Sequence, residues 1–278
     1  MAAQALRVSR RRILARAAAT LLFAVLGAAC TSAPYTQRRQ LILLDPAEEQ
    51  NLGATAFQQV VSKSKLDSSP RVLDPVKQVG ERIARVADKP DYRWQFVVID
   101  DAATPNAFCL PGGKVAVYTG IFPIARSSAG LAVVMGHEIA HALARHGAER
   151  ASQTALAQMG GEVLGAATGS DAIMEAYGLG AQVGLLLPWS RTQESEADHI
   201  GLILMAKAGY DPREAVAFWQ RMEKADRAAT NEFLSTHPGS ETRVQQIEEW
   251  LPEVIPLYEE AKRAPVAPLP QIASAAKR

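Results

Sequence analysis

The chain has 278 residues, of which 48% are hydrophobic and 21% are charged, a composition that excludes intrinsic disorder and allows one large domain or two small ones. Five of its 30 basic residues, and none of its 29 acidic ones, lie in residues 1–29, so the remainder carries a net charge of −4. That balance argues against nucleic-acid binding through a broad cationic face. The two cysteines exclude a disulfide scaffold and a four-cysteine zinc site.

The first thirty residues have the pattern of a secretory signal. A cationic segment, Arg7–Arg16, precedes an apolar run, Ala17–Ala29, that is too short to span a bilayer comfortably. Small residues lead up to Cys30 and resemble a bacterial lipobox, although Gly27 stands where a large aliphatic residue is usual. We therefore predict a signal peptide over residues 1–29 and lipidation of Cys30, with an ordinary cleaved signal as the alternative. The arginine-rich start also resembles a twin-arginine motif, which leaves Sec and twin-arginine export both open.

Hydrophobic periodicity and helix- or strand-breaking residues predict the secondary structure of the rest of the chain. A tether is expected over residues 30–45, a folded domain over 46–263 and a disordered tail over 264–278. The predicted helices are Pro46–Val61, Pro75–Val86, Ser128–Arg150, Gln193–Ala208, one that starts at Asp211 and one that starts at Thr242. The predicted strands are Tyr92–Ile99, Ala107–Leu110 and Lys114–Thr119, the last two joined by a turn at Pro111–Gly113. The Gly- and Ala-rich stretch Gln153–Leu187 is expected to form either a lid or a close-packed helix pair.

The motif His137-Glu138-Ile139-Ala140-His141 lies in the middle of a predicted helix. Four residues advance about 400° round an α-helix, so the two imidazoles lie one turn apart on nearly the same face. Both can therefore bind one metal ion. Glu138 lies about 100° round the helix from His137, beside the metal, where it can act as the general base for a water molecule.

His146 is a tempting third ligand that helical geometry excludes. Nine residues beyond His137 it would lie about 180° round a continuous helix. Zinc proteases that use a downstream histidine turn the chain at a glycine, and here that position is Ala144. His146 is therefore expected to be a helix C-terminal residue favoured by the helix dipole.

Acidic residues at the start of a later helix offer a better third ligand. Glu194 and Asp198 are four residues apart and share a face, while Glu196 points elsewhere. One of the two carboxylates can bind the metal and the other can hold a ligand imidazole in place. Spacing alone does not choose between them.

Further short motifs occur in order along Tyr35–Leu251. They are Thr36–Gln40, Asn106–Gly113, Gly136–His141, Pro188–Arg191, Glu194–Asp198, Ala208–Pro212 and Ser235–Pro238. Their content and order resemble the zinc metallopeptidases of the CAAX-prenyl-protease and Oma-type superfamily, peptidase family 48 of the metallo class, and most of all its bacterial periplasmic lipoproteins. The resemblance implies an α+β, zincin-like (gluzincin) fold, mostly helical with a small β-sheet beside the active-site helix. Cys109 departs from the small apolar residue expected at its position.

The resemblance also implies roles for individual residues. It places one zinc ion per chain on His137, His141 and Glu194, with Asp198 in the supporting role. It places His237 near the zinc, as an oxyanion donor or a reversible fourth ligand, and Arg243 is expected to orient His237. From sequence alone, His237 could equally be a capping residue before a helix.

A substrate-binding strand is expected beside this site. Lys114–Thr119 is predicted to be a sheet edge with which an extended substrate pairs through main-chain hydrogen bonds, with a plain structural hairpin as the alternative. The expected substrate-binding residues are Asn106, Gly112, Gly113, Val115 and Val117.

These features predict a zinc endopeptidase of the bacterial cell envelope that degrades misfolded or mislocalised envelope proteins. A chaperone-like assembly factor for outer-membrane proteins with a latent zinc site is the main alternative, and a structural zinc domain is a weaker one. Unfolded polypeptides are the expected partners, and the lipid on Cys30 is the expected membrane anchor. Thr31 follows that cysteine instead of the Asp that usually retains lipoproteins at the inner membrane, so the resemblance implies the periplasmic face of the outer membrane.

Overall fold

A computed structural model describes residues 30–156, 190–228, 233, 237 and 242–263. The predicted signal peptide, most of the Gly- and Ala-rich stretch and the predicted tail lie outside these residues. In the described part of the chain, none of the helices combines the length and apolarity needed to cross a membrane.

The N-terminal residues form a hairpin where a tether was expected. Strand β1 (Cys30–Ser32) pairs antiparallel with β2 (Arg39–Leu41), and residues 30–41 are called the N-terminal hairpin below. Its loop is closed by a hydrogen bond from the Ala33 amide to the Arg38 carbonyl, and Ala33 is fully buried in the main core. The tether prediction for residues 30–45 was wrong, because polar loop residues here bind buried partners from distant helices.

Arg38 is the residue that fastens this hairpin to the rest of the protein. Its guanidinium donates two hydrogen bonds of 2.8 Å to the Glu149 carboxylate and one of 2.7 Å to Glu196. Thr36 donates a further hydrogen bond to Glu196. Burial would raise the pKa of Glu196, but hydrogen bonds from His146, Thr36 and Arg38 lower it to about 2.

Acid is therefore expected to weaken the attachment of the hairpin. A carboxyl whose pKa is lower in the folded state stabilises the fold above its ordinary pKa and loses that contribution as the pH falls. For Glu196 the loss lies between its ordinary value of 4.5 and about 2. Urea unfolding of the chelator-treated protein should give a free energy of unfolding that declines over this range. The decline should be shallower in both Arg38→Met and Glu196→Gln, and an unchanged decline in Glu196→Gln would contradict the assignment.

Two long helices follow the hairpin. Helix α1 spans Pro46–Lys63, with the Asp45 side chain accepting hydrogen bonds from the first turn, and α2 spans Pro70–Ala87. The second begins five residues before the predicted Pro75. Both prolines suit a first helical turn, and the one that starts the helix is Pro70.

The small sheet has an order that the sequence did not predict. Strands β3 (Gln95–Ile99), β4 (Ala107–Leu110) and β5 (Lys114–Tyr118) are arranged β3-β5-β4, with β3 parallel and β4 antiparallel to β5. The strand predicted to be an edge, Lys114–Thr119, is therefore central, and its backbone is paired on both sides. Strand β4 lies next to β5 at an edge of this sheet, and no other strand in the described part of the chain pairs with its outer side.

The sheet lies between two helical layers. Val115 and Val117 are fully buried in the main core, while Ala116 faces a smaller apolar cluster with Phe57 of α1. After β5, a 3₁₀ turn (Thr119–Ile121) and a short helix α3 (Phe122–Ala125) lead into α4 (Ser128–Leu143), which Ser127 caps. Helix α4 is buried along almost its whole length.

Helix α4 ends seven residues before the predicted end at Arg150. Ala144 adopts a capping conformation and Arg145 has a positive φ of 55°, after which residues 146–156 form a new helix, α5. The unfavourable backbone of Arg145 is held by two distant contacts of its side chain, to Glu49 (2.7 Å) and to the Leu44 carbonyl (2.9 Å). Because the chain turns here, residues beyond Arg145 can face back toward the metal-binding helix.

The remaining helices are α6 (Arg191–Lys207), α7 (Glu214–Ala228) and α8 (Arg243–Arg263). Helix α6 crosses α4 in close contact, because Gly136 and Gly201 face each other. A Cβ added to Gly201 would lie 3.0 Å from the His137 backbone nitrogen, and one added to Gly136 would lie 3.1 Å from the Gly201 carbonyl oxygen. These glycines let the two helices approach backbone to backbone. The predicted α+β, mostly helical architecture is confirmed.

Candidate metal centre and active site

Two imidazoles of α4 and one carboxylate of α6 converge in the buried interior. His137 Nε2 and His141 Nε2 are 3.1 Å apart, and the Glu194 carboxylate oxygens lie 3.6 Å from His137 Nε2 and 3.3 Å from His141 Nε2. A tetrahedral ion with bonds of about 2.0–2.1 Å places its ligand atoms about 3.4 Å apart. Glu194 Oε1 has no hydrogen-bond partner among the described residues. The donor types and their spacing therefore fit a single zinc ion.

A buried ion-pair network holds the His137 side of the site. Asp198 Oδ1 lies 2.9 Å from His137 Nδ1, and Arg243 binds both Asp198 (2.7 Å) and Glu194 (2.5 Å). The guanidinium also lies over the Trp219 ring, 4.0 Å from its centroid. Arg243 was expected to orient His237 but instead orients the two carboxylates. It is the first residue of α8, which packs against α6.

The His141 side is held through a second histidine. His146 Nδ1 lies 2.9 Å from His141 Nδ1, and His146 Nε2 lies 2.9 Å from Glu196 Oε2. His146 is thus a neighbour of a candidate ligand and not the helix C-terminal residue that was expected. The prediction assumed one continuous helix, and the turn at Arg145 brings His146 back to the site.

Glu138 and His237 lie on the open side of the candidate ligands. His237 Nε2 is 3.7 Å from Glu138 Oε1, and its ring stacks on that of His141 with centroids 5.1 Å apart. One donor atom from each of His137, His141, Glu194 and His237 lies within 4.8 Å of the others. The structure therefore brings His237 into the same cluster as the three candidate ligands.

Burial sets the protonation of these groups. It raises the pKa of Glu138 well above its ordinary value, and the nearby Glu194 raises it further. Burial, with cationic neighbours, lowers the pKa of His141 and of His237 well below their ordinary values. The imidazoles of His141 and His237 are thus neutral, the form that binds metal, and Glu138 has the shifted pKa typical of a general base.

A cavity of about 270 Å³ opens beside Glu138 and His141. Its other wall is the edge strand β4 with Asn106 before it, and Cys109 faces this space. Burial, then the Glu138 charge, raises the pKa of the Cys109 thiol, which keeps it protonated. An extended chain in this cavity would therefore lie between β4 and the candidate metal centre.

Four of the five expected substrate-binding residues lie elsewhere. Val115 and Val117 are buried core residues of the central strand. Gly112 and Gly113 have φ values of +82° and +78° in the β4–β5 turn, where Gly113 packs against Trp94. Only Asn106 lines the cavity. The expectation that Val115 and Val117 belong to a free edge was wrong, because sheet order is set by tertiary packing. For Gly112 and Gly113 substrate binding stays a prediction.

Sequence reasoning missed four contributors to the site. His146 was rejected as a ligand and given no other role at the site, Glu196 was judged to point elsewhere, and Arg38 was noted only as part of a motif. Trp219 also contacts His137, with ring centroids 5.4 Å apart. The motif Thr36–Gln40 was the sequence signal for Arg38, but it lies far along the sequence from the other residues of the site.

The helical fold, the two-histidine helix and the carboxylate from a second helix define a zincin-like metallopeptidase domain. A family model for peptidase family M48 matches residues 71–251. The chain belongs to this family of metallopeptidases, as its motifs indicated, and the family implies a bound metal.

Curated relatives agree with the family assignment. The chain is 40% identical over 225 residues to mitochondrial metalloendopeptidase OMA1 of Schizosaccharomyces pombe, covering 79% of this chain and 66% of the relative. It is 30% identical to the putative beta-barrel assembly-enhancing protease of Vibrio cholerae (77% and 49% covered) and 27% identical to the beta-barrel assembly-enhancing protease of Escherichia coli (72% and 43% covered). The matches thus span two thirds or less of the relatives' own lengths.

Proposed function

We propose that this protein is a zinc-dependent endopeptidase of the bacterial cell envelope that degrades misfolded or mislocalised envelope proteins. The observation that carries the proposal is the convergence of His137, His141 and Glu194 beside a buried Glu138, at a cavity bounded by the outer edge of β4, which no other described strand pairs with. Relatives are named as endopeptidases in mitochondria and as a protease of beta-barrel assembly in bacteria, which supports both the reaction and the compartment.

Each site residue has a defined task in this proposal. A zinc ion held by His137, His141 and Glu194, one per chain, would supply Lewis acidity that polarises the scissile carbonyl and activates water at neutral pH. Glu138 accepts the proton of the attacking water and then donates it to the leaving amine. Asp198 and Arg243 hold His137 and Glu194 in place by hydrogen bonds.

The substrate is proposed to bind as an extra strand along β4. Among the described residues this strand pairs with β5 on one side only, so its other edge offers main-chain donors and acceptors. Such pairing reads little sequence and requires an extended chain, which favours unfolded polypeptides over folded ones. Asn106 lies at the start of this edge.

Degradation of a casein-type unfolded substrate tests the activity. The purified protein should cleave it, lose activity with a chelator and regain activity when zinc is added back. Cleavage that persists after the metal has been removed would refute the zinc mechanism. Binding of unfolded outer-membrane proteins without any cleavage would instead favour the chaperone-like assembly factor with a latent site.

The proposed location is the periplasmic face of the outer membrane, with Cys30 lipidated as the anchor. A Cys30→Ala variant should then be soluble or unprocessed in cell fractionation, whereas the wild-type protein should be found with outer membranes. A processed Cys30→Ala protein that stayed in the membrane fraction would contradict the anchor.

His237 is proposed to close the fourth metal position in the conformation described here. Its ring lies within the candidate ligand cluster and 3.7 Å from Glu138, where substrate and water need space. A His237→Ala variant should therefore cleave unfolded substrate faster than the wild-type protein. A fall in turnover on the order of a hundredfold would instead identify His237 as an oxyanion donor. Unchanged turnover would exclude it from both roles.

A further inference from the structure

A chain of buried hydrogen bonds connects the N-terminal hairpin with a candidate metal ligand. Arg38 Nε donates to Glu196 Oε2 (2.7 Å), the same oxygen lies 2.9 Å from His146 Nε2, and His146 Nδ1 lies 2.9 Å from His141 Nδ1. The side chains of Glu196 and His146 are 4% and 0% exposed, respectively. The chain thus crosses the interior from the hairpin loop to the ligand.

The proton positions along this chain follow from metal binding. A His141 that binds metal through Nε2 is neutral and carries its proton on Nδ1, so it donates to His146 Nδ1. His146 must then carry its own proton on Nε2, which it donates to Glu196. Each group in the chain therefore has a defined role as hydrogen-bond donor or acceptor. Glu196 is the final acceptor, and Arg38 and Thr36 donate hydrogen bonds to it.

The two histidine ligands are supported differently. Asp198 binds His137 directly and is held by Arg243, so the hydrogen bonds that support His137 come from helices α6 and α8. His141 is supported through His146, and the carboxylate behind it is held by residues of the hairpin. Arg38 also binds Glu149 of α5, so the same guanidinium fixes the helix that presents His146.

We propose that His146, Glu196 and Arg38 are positioning residues for the metal ligand His141, so that docking of the N-terminal hairpin sets the metal affinity of the site. The proposal rests on the metal centre of the proposed function. Partners that orient a metal-binding histidine typically contribute 10- to 100-fold in metal affinity. The hairpin is therefore part of the metal centre, although its nearest contributing side chains, Arg38 and Thr36, are three hydrogen bonds away from His141.

Zinc competition with a chromophoric chelator tests the proposal in the full-length protein. We expect His146→Leu to lower zinc affinity by about 10- to 100-fold and Arg38→Met by about tenfold. His146→Asn should recover much of the loss, because its amide oxygen can accept the His141 proton from nearly the position of Nδ1. The visible absorption spectrum of the cobalt-substituted protein should change in His146→Leu and Arg38→Met, since it reports ligand geometry.

Arg221→Met is the matched control. Arg221 is a partly buried arginine that binds Glu214 (2.6 Å) and the Ile124 carbonyl (2.7 Å), and neither partner contacts a candidate ligand. It should lower the melting temperature of the metal-free protein without changing zinc affinity. If Arg38→Met lowers stability but binds zinc as the wild type does, Arg38 is a structural clamp and the proposal is wrong.

Misfolding of a variant and failure of the proposed function can both be told apart from failure of this proposal. If His146→Leu does not fold, Arg38→Met and Thr36→Val carry the comparison, and both must weaken zinc binding relative to Arg221→Met. A wild-type protein that binds no zinc would refute the proposed function itself, and the proposal with it. Wild-type zinc binding with unchanged affinity in the hairpin variants would refute the proposal alone.

Discussion

Replacing Glu138 with Gln is expected to lower peptidase turnover by on the order of 10²- to 10⁴-fold while the protein keeps its zinc. Gln has the shape of Glu but cannot accept a proton, so the variant loses the base and retains the ligands. Burial raises the pKa of Glu138, and Oε1 has no hydrogen-bond partner among the described residues. Removing this costly charge should leave the melting temperature at neutral pH unchanged or raise it.

The measurement combines casein cleavage, metal analysis and thermal unfolding on the same preparation. Glu138→Asp is a useful companion, because it keeps a base but shortens its reach and should retain partial activity. Wild-type turnover in Glu138→Gln would exclude Glu138 as the base. Loss of zinc from this variant would mean that Glu138 contributes to binding the metal.

Replacing Glu194 with Ala is expected to remove bound zinc and, with it, all activity. The carboxylate faces both candidate histidine ligands and is the partner of Arg243. Its loss takes away one of three ligands, so zinc affinity should fall by more than about a hundredfold, the upper limit typical of residues that only support a ligand. Metal analysis after dialysis, together with chelator competition, measures this directly.

Glu196→Ala is the matched control, since it removes the same group two residues away on the same helix. Its carboxylate binds His146, Thr36 and Arg38 and faces away from the three candidate ligands. We expect it to retain zinc with an affinity reduced by about 10- to 100-fold. Equal metal content in the two variants under stringent dialysis would mean that the third ligand has been assigned wrongly.

Much of the site could be predicted because its chemistry is local in the sequence. The spacing of His137 and His141 fixes their common helix face, and the spacing of Glu194 and Asp198 does the same for α6. Helix and strand bounds such as Ala107–Leu110 were also predicted correctly, since apolar residues and turn residues mark them directly.

The errors came from contacts between residues that are distant in the sequence. The end of α4 has no glycine at its turn, and contacts of Arg145 with Glu49 and Leu44, which are distant in the sequence, stabilise the break. The order of the strands depends on packing against α1 and α2, so a central strand was taken for an edge. The hairpin was taken for a tether because its anchoring partners, Glu149 and Glu196, lie more than a hundred positions away.

The facing glycines of α4 and α6 make the metal centre a site of fixed width. Its two halves meet main chain to main chain at Gly136 and Gly201, so the separation of the histidine and glutamate ligands is limited by van der Waals contact between the two backbones. Repacking of side chains in the core cannot narrow this gap, and even one added methyl group would widen it. Adaptation to an ion of different radius must therefore come from rotation of the Glu194 side chain, while the histidine pair keeps its position.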